Sequence, residues 1–420
     1  MLLPLYKRFY GAKTLWLMKF LVFAVLYLVY PFSFLFPRKE NKWAFGSFRG
    51  AFNDNAKYLF FYCSEHCSGI RCVWLSMNKN TVSEVRRLGL EAYHIASLKG
   101  IWYALTSKYW FFNSYTSDIM YAFSGGAVCI NLWHGVGLKR TEFNITSGEL
   151  AKRYQQRQFW EVYYHPESFK RPDWFVSSTP FQTVMFASSF RIPQDRCLEL
   201  GYPRNAILTC SQQQREAFVE RYVDMSTRRL MKKIADGGYS KVYLYMPTWR
   251  DSQRNVFVQS FDLPKLDSLM RERNELMLLK PHANVIVDEK EFGKMTNICI
   301  VDGKADIYPV MPYTDVLITD YSSVLYDYIL MPDKGVVLYL YDYAEYIKDR
   351  DLYYPYDENV VGRKVYSFDE LYQCLAEGDC SCNAEERQAI LDRFWGKTVN
   401  INASESLSQM VLSGKLSARL

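Results

Sequence analysis

The chain has 420 residues, too long for a single hydrophobic core, and it is expected to divide into two domains. Hydrophobic residues make up 49% and charged residues 23%, ordinary values for a globular protein. The net charge of +6 lies within the first 42 residues, where Lys7, Arg8, Lys13, Lys19, Arg38, Lys39 and Lys42 face only Glu40; the remainder is neutral, and no broad basic field points to nucleic acid.

That basic segment is also apolar. Phe20 to Pro37 carries no charge, is barely long enough to span a bilayer, and is interrupted by Pro31. No small-residue cleavage site follows it, so a removable signal peptide is not expected. Lys and Arg flank both ends and give little orientation bias. Residues 1–40 therefore read as a membrane-associating segment. The expectation is an interfacial or re-entrant anchor on the cytoplasmic leaflet, held by apolar burial and anionic lipid. A single transmembrane helix and a buried soluble helix are the alternatives.

The body begins with a strand at Trp43–Ser47, a polar turn over Arg49–Asp54 and a helix from Asn55. Further strands are predicted at Arg71–Leu75, Tyr109–Phe112, Ala127–Leu132 and Trp174–Ser177, with a helix over Glu84–Leu90. Gly201-Tyr-Pro-Arg-Asn205 punctuates the chain, and the polar stretch Cys210–Gly238 reads as a helical linker. The second half repeats the theme with strands at Lys241–Tyr245, Leu276–Leu279, Ile298–Val301, Val316–Thr319 and Val336–Leu340. Two helices near Ala384–Trp395 and Glu405–Leu412 close the chain. Strands alternating with helices imply parallel α/β layers. The ten cysteines are scattered without zinc-type spacing and read as reduced thiols.

Ligands of open parallel sheets bind beyond the carboxyl ends of the strands, and the polar motifs fall there. Trp133-His134-Gly135-Val136-Gly137-Leu138-Lys139-Arg140 follows one strand, Pro247-Thr248-Trp249-Arg250-Asp251 a second, and Lys280-Pro281-His282 a third. Asp320-Tyr321-Ser322-Ser323 follows a fourth, leading into a helix-like run that carries Asp327. The turn from Thr319 to Ser323 offers free amides, two hydroxyls and a helix dipole, which suit a phosphate, although Ser and Thr also serve as plain helix caps. His134 and His282 sit at strand ends beside Gly or Pro, where imidazoles can act, while His66, His94 and His165 read as structural. Arg250 is placed to fork onto phosphate oxygens, or it pairs with surface carboxylates. Asp327 lies one helical turn from Ser323 and either faces the same site or is solvated. Asp349-Arg-Asp351 is a lone D-x-D in a charged loop and a weak metal signal.

Taken together, these motifs resemble the CDP-glycerol glycerophosphotransferase family, the teichoic-acid-type polyol-phosphate primases and polymerases. The resemblance rests on Trp133-His134-Gly135 with Leu138-Lys139-Arg140, on Gly201–Asn205, on Pro247–Asp251, on Lys280–His282 and on Thr319–Ser323 with Asp327. Phe52-Asn-Asp-Asn-Ala-Lys-Tyr58 adds a further match. It implies an α/β, GT-B-like fold of two Rossmann-type domains around a central cleft. The expected division is an acceptor-side domain over 41–208, a CDP-donor domain over 209–382 and C-terminal helices over 383–420.

The resemblance also implies a membrane-associated transferase with a CDP-polyol donor and a lipid-linked acceptor. His134 would be the general base, with His282 the second catalytic histidine. Arg250, His282, Ser322 and Ser323 would hold the pyrophosphate and the charge on the departing CMP, with Lys280, Thr319 and Asp320 as further substrate-binding residues. Asp327 would meet the ribose, and Lys139 is a further substrate-binding candidate. No cofactor is expected, and transfer is expected to be metal-independent. Two rival classes stand beside this one: a GT-B glycosyltransferase using a nucleotide sugar, and a non-catalytic membrane scaffold.

Overall fold

The computed structural model describes residues 12–248, 261–281, 295–303, 305–349 and 351–418. Two all-parallel sheets organise the chain. The first contains β1 (Lys39–Phe45), β2 (Arg71–Ser76), β3 (Ala92–His94), β4 (Ser107–Phe112), β5 (Val128–Asn131), β6 (Trp174–Ser177) and β7 (Cys197–Glu199), in the order β3-β2-β1-β4-β5-β6-β7. The second contains β8 (Lys241–Met246), β9 (Glu275–Leu279), β10 (Ile298–Ile300), β11 (Val316–Thr319), β12 (Gly335–Tyr339) and β13 (Arg363–Val365), in the order β10-β9-β8-β11-β12-β13. The strand order reverses between β1 and β4 in one sheet and between β8 and β11 in the other, and such reversals open a crevice at the carboxyl ends. The central strands are buried on both faces, which is why they read as continuous apolar runs.

Helices cover both faces, and one apolar cluster runs from the inner side of the first sheet across to the inner side of the second. The outer faces hold smaller clusters of their own. The linker forms two helices, Gln212–Tyr222 and Met225–Asp236, started by a Ser211–Gln214 capping box and by the Asp224 carboxylate. The closing helices, Ala384–Phe394 and Ala403–Leu412, cross back to the first lobe. Thr179 donates to the Arg393 carbonyl at 2.9 Å, and Trp174 Nε1 donates to the Ser417 carbonyl at 2.9 Å.

Three edge strands, β3, β7 and β13, escape the sequence reading. Each has three residues and mixes apolar with polar or charged side chains, so no apolar run registers. The helix expected over Glu84–Leu90 instead runs Lys79–Arg87, because the Asn78 side chain caps it by accepting from the Asn80 amide.

The apolar N-terminal segment is one helix, Ala12–Phe32. Pro31 falls in its last turn and ends it rather than breaking it. Trp16–Leu35 is long and apolar enough to cross a membrane, by length and composition alone. It lies against the short helix Phe159–Tyr164 through ring contacts, Trp16 on Trp160 at 5.3 Å and Phe20 on Tyr163 at 5.2 Å.

Candidate active site

β5 delivers His134 to the cleft. The chain leaves Asn131, turns through Trp133 in the left-handed region (φ 54°), and passes Gly135 at φ 111°. A tryptophan in that region costs of order 1–2 kcal/mol and needs outside support. Asn131 Oδ1 accepts from the Trp133 amide at 2.8 Å, and Asn55 Nδ2 donates to the Trp133 carbonyl at 2.9 Å. Arg204 Nη2 then donates to the His134 carbonyl at 3.0 Å. Glycine is required at 135, since a Cβ there would lie 2.5 Å from Arg204 Nη2.

The His134 ring packs on Trp133, with centroids 4.0 Å apart, and its edge is exposed to the cavity. The protein crowded around it pulls its pKa below the ordinary value, the Asp54 carboxylate opposes this, and the Arg204 guanidinium adds to it. The imidazole is therefore a neutral, proton-accepting group at physiological pH.

β11 delivers the second half of the site. Asp320 is buried and serves the neighbouring loop: its carboxylate accepts from the Thr248 amide at 2.8 Å and the Thr248 hydroxyl at 2.6 Å. Ser322 and Ser323 follow, half-buried, and the Ser323 hydroxyl has no protein partner among the described residues. The helix behind them, Val324–Tyr328, has only five residues, so the hydroxyls and amides of the turn outweigh any dipole.

His134 and this turn line one cavity of about 200 Å³ between the lobes. Val136, Gly137, Leu138 and Lys139 extend its first wall, Asp320 to Ser323 form the second, and Met185, Phe186, Leu325 and Tyr326 close its floor. A strand-like clasp beside it joins the lobes. Lys139 pairs antiparallel with Leu352, and the Tyr353 amide donates to the Leu138 carbonyl at 2.7 Å. Lys139 Nζ lies 5.4 Å from the centre of the Tyr346 ring.

Other expected site residues are placed elsewhere. Thr319 is fully buried and donates to the Met246 carbonyl at 2.7 Å, a sheet contact. Lys280 donates to the Gly303 carbonyl at 2.9 Å and does not border this cavity; burial lowers its pKa, against the pull of Asp306 and Asp302. Asp327 also departs from expectation. Its carboxylate is fully buried and accepts from Arg204 at 2.6 Å, Asn205 at 3.1 Å and the Tyr308 hydroxyl, so it is turned into the lobe interface and not into the cavity. Asp351 of the D-x-D lies 2.8 Å from Arg140 and accepts from Thr146. Arg250 and His282 lie outside the described residues.

Sequence reasoning left Arg204, Asp54 and Asn55 without roles, although all three stand inside motifs it singled out. The available signal was an Arg between Pro and Asn just beyond a strand, and consecutive Asn and Asp residues before a helix.

The family whose model matches is described as CDP-Glycerol:Poly(glycerophosphate) glycerophosphotransferase, and the match spans residues 28–413. The chain belongs to this family. Over 366 residues it is 27% identical to the teichoic acid glycerol-phosphate transferase of Staphylococcus aureus (strain NCTC 8325 / PS 47), covering 84% of this chain and 89% of that one. It is 28% identical over 344 residues to a teichoic acid poly(glycerol phosphate) polymerase of Staphylococcus epidermidis (strain ATCC 35984 / DSM 28319 / BCRC 17069 / CCUG 31568 / BM 3577 / RP62A), covering 77% of this chain but only 44% of that longer protein. The solved wall teichoic acid polymerase TagF shares the fold, with a TM-score of 0.68, 24% identity and 90% of each chain covered. This glycerophosphotransferase-family chain thus has the GT-B-like architecture of two parallel sheets around a cleft, with the His134 loop and the Ser322–Ser323 turn on opposite walls.

Proposed function

We propose that the protein transfers a polyol phosphate, most simply glycerol phosphate, from a CDP-activated donor to a hydroxyl of a lipid-linked or saccharide acceptor, releasing CMP. The observation that carries this reading is the shared cavity: in a chain of this family, a neutral imidazole and a hydroxyl-bearing strand-end turn face each other across the lobe interface. The first lobe, 41–208, would receive the acceptor, and the second, 209–382, the cytidine diphosphate.

In the proposed step, His134 takes the proton from the acceptor hydroxyl. The acceptor oxygen forms a bond to the distal phosphorus while the bond from that phosphorus to the CMP oxygen breaks, and CMP leaves with the electron pair. Such transfer depends on positioning and charge neutralisation, with little covalent work for the protein. Ser322 and Ser323 would hold phosphate oxygens, with Lys139 beside them. Arg250 and His282 would complete the charge around the leaving group. Thr319 and Asp320 would act through the backbone and the Thr248 loop they fix.

Purified protein incubated with CDP-glycerol, CDP-ribitol and UDP- or CMP-sugars tests the reading. CMP release from a CDP-polyol, dependent on an acceptor, is the expected result. Turnover of only the nucleotide sugars would transfer the protein to the glycosyltransferases, and no turnover of any donor would favour a scaffold.

The Ala12–Phe32 helix supports a membrane-bound setting. Leu28 is 67% exposed and Leu35 76%, and Phe159, at 66%, carries the same apolar surface onto a second element. Basic residues at both ends of the segment suit anionic headgroups on the cytoplasmic face. Removing residues 1–40 should move the protein to the soluble fraction, and retention on membranes would place the anchor elsewhere.

A further inference from the structure

Arg204 stands where three parts of the site meet. It lies in the turn after β7, and its amide donates to Asn55 Oδ1 at 3.1 Å. Nη1 donates to Asp54 Oδ1 at 2.5 Å, and Nη2 donates both to the His134 carbonyl at 3.0 Å and to Asp327 Oδ2 at 2.6 Å. The guanidinium sits 4.8 Å from the centre of the Tyr308 ring, whose hydroxyl donates to the same Asp327 oxygen. Its side chain is 7% exposed and that of Asp327 1%. Burying a charge trio of this kind rarely adds net stability, because desolvation consumes most of the attraction. Arg204 Nε and Asn205 Oδ1 lack hydrogen-bond partners among the described residues, a cost that a purely structural tie would shed.

The connections are informative. The His134 carbonyl belongs to the strained turn that aims the imidazole. Asp327 lies four residues beyond Ser323, on the short helix that backs the opposite wall. Asp54 opens the helix Asp54–His66 and adds a carboxylate to the surroundings of the His134 ring. A single planar group therefore touches the base's own backbone, the Asp54 carboxylate that acts on its ring and the helix behind the phosphate-facing turn.

We propose that Arg204 is a positioning residue, which sets the place of the His134 imidazole relative to the Ser322–Ser323 turn by gripping the His134 carbonyl, Asp54 and Asp327 at once. The proposal rests on the transfer reading above for its kinetic consequence alone. The groups that face His134 are Asp54 from the first lobe's helix, Arg204 from the β7 turn with Asp327 and Tyr308 behind it, and Lys139 and Asp320 around the cavity. Arg204 opposes protonation of the ring and Asp54 favours it, so the two substitutions should act in opposite directions.

The test combines histidine NMR titration of the full chain, with the His134 signal assigned by its loss in His134→Gln, and steady-state CMP release from CDP-glycerol. Arg204→Gln should raise the His134 midpoint and Asp54→Asn should lower it, each by about half a unit or more. Arg204→Lys keeps the charge but not the fork, so its midpoint should stay near the wild-type value while kcat falls at least about tenfold at little-changed KM. Where Arg204→Gln does not fold, Asp54→Asn and Arg204→Lys decide the matter. A folded Arg204 variant with wild-type kcat, or a His134 midpoint unmoved by Asp54→Asn, overturns the proposal. Wild-type protein that releases no CMP from any CDP-polyol overturns the functional reading instead, and the titration then still decides the coupling.

Discussion

The two lobes are joined along two seams built on opposite principles. The inner seam is ionic and mostly buried: Arg204 with Asp54 and Asp327, and beside it Lys57 with Asp306 at 2.8 Å, all with side chains 22% exposed or less. The outer seam, over residues 138–146 and 351–354, is wet and held mostly by the backbone. Tyr353 donates to Leu138 and the Arg140 amide donates to the Asp351 carbonyl at 2.9 Å, while the Tyr354 hydroxyl reaches the Phe181 carbonyl at 2.8 Å. Its one ion pair among the described residues, Arg140 with Asp351, is 35% and 23% exposed, and Arg140 Nε is not aligned for a hydrogen bond despite the 2.8 Å separation. Charges that water can screen cannot set geometry, so the outer seam leaves that task to peptide groups. The Arg204–Asp327 pair, at 7% and 1% exposed, is shielded from water, holds its partners in one arrangement and is costly to break, and it is this seam that touches the base.

Disrupting the inner seam should have the largest effect. Asp327→Ala leaves Arg204 buried with one carboxylate missing and should cost about 3–5 kcal/mol, read as a lowered denaturant midpoint. A midpoint like the wild type's would mean that the seam is more hydrated than its burial implies. Next comes the phosphate-facing wall: replacing Ser322 and Ser323 by Ala should cut kcat/KM for the CDP-polyol about tenfold per hydroxyl, with little change in stability, since the Ser322 hydroxyl makes only a long contact, accepting from the Val324 amide at 3.4 Å. The pH dependence refines the contrast further. Because the protein crowded around the ring and Arg204 lower the His134 pKa from its ordinary value, the rate should be flat at neutral pH and fall only as pH drops through that lower midpoint, where the base becomes protonated. An acid limb above pH 6.5 would contradict that environment. Smallest of all, Arg140→Ala should change stability by no more than about 1 kcal/mol, and by less at high salt.

The sequence made much of this arrangement readable, for physical reasons that also mark where it stopped. Trp174–Ser177 and Val316–Thr319 were bounded correctly because each is a short apolar run closed by a hydroxyl residue and flanked by polar turns. His134 and Ser322–Ser323 stood out because both fall in polar turns at strand ends, His134 beside Gly135, and the structure brings those two together. Asp327 was expected at the ribose from the family resemblance, and its spacing to Ser323 allowed it to face the same site. The spacing does put it near the turn, but it cannot tell which face of the helix meets the other lobe. Arg204 shows the limit most clearly. Its motif was visible, yet its partners lie 150 and 123 residues away, and no local pattern announces a pairing of that range. The Asp349-Arg-Asp351 loop is the converse, a conspicuous charge pattern whose Asp351 ends in an exposed clasp.

The account depends on His134 accepting the proton of an alcohol that attacks a cytidine-activated phosphorus. Acceptor-dependent CMP release from CDP-glycerol, measured side by side for the wild type and a folded His134→Ala variant, tests that most directly. The expected result is a rate at least about a hundredfold lower in the variant, at unchanged thermal stability. Equal rates would contradict the account, because the imidazole would then be only a neighbour of the chemistry.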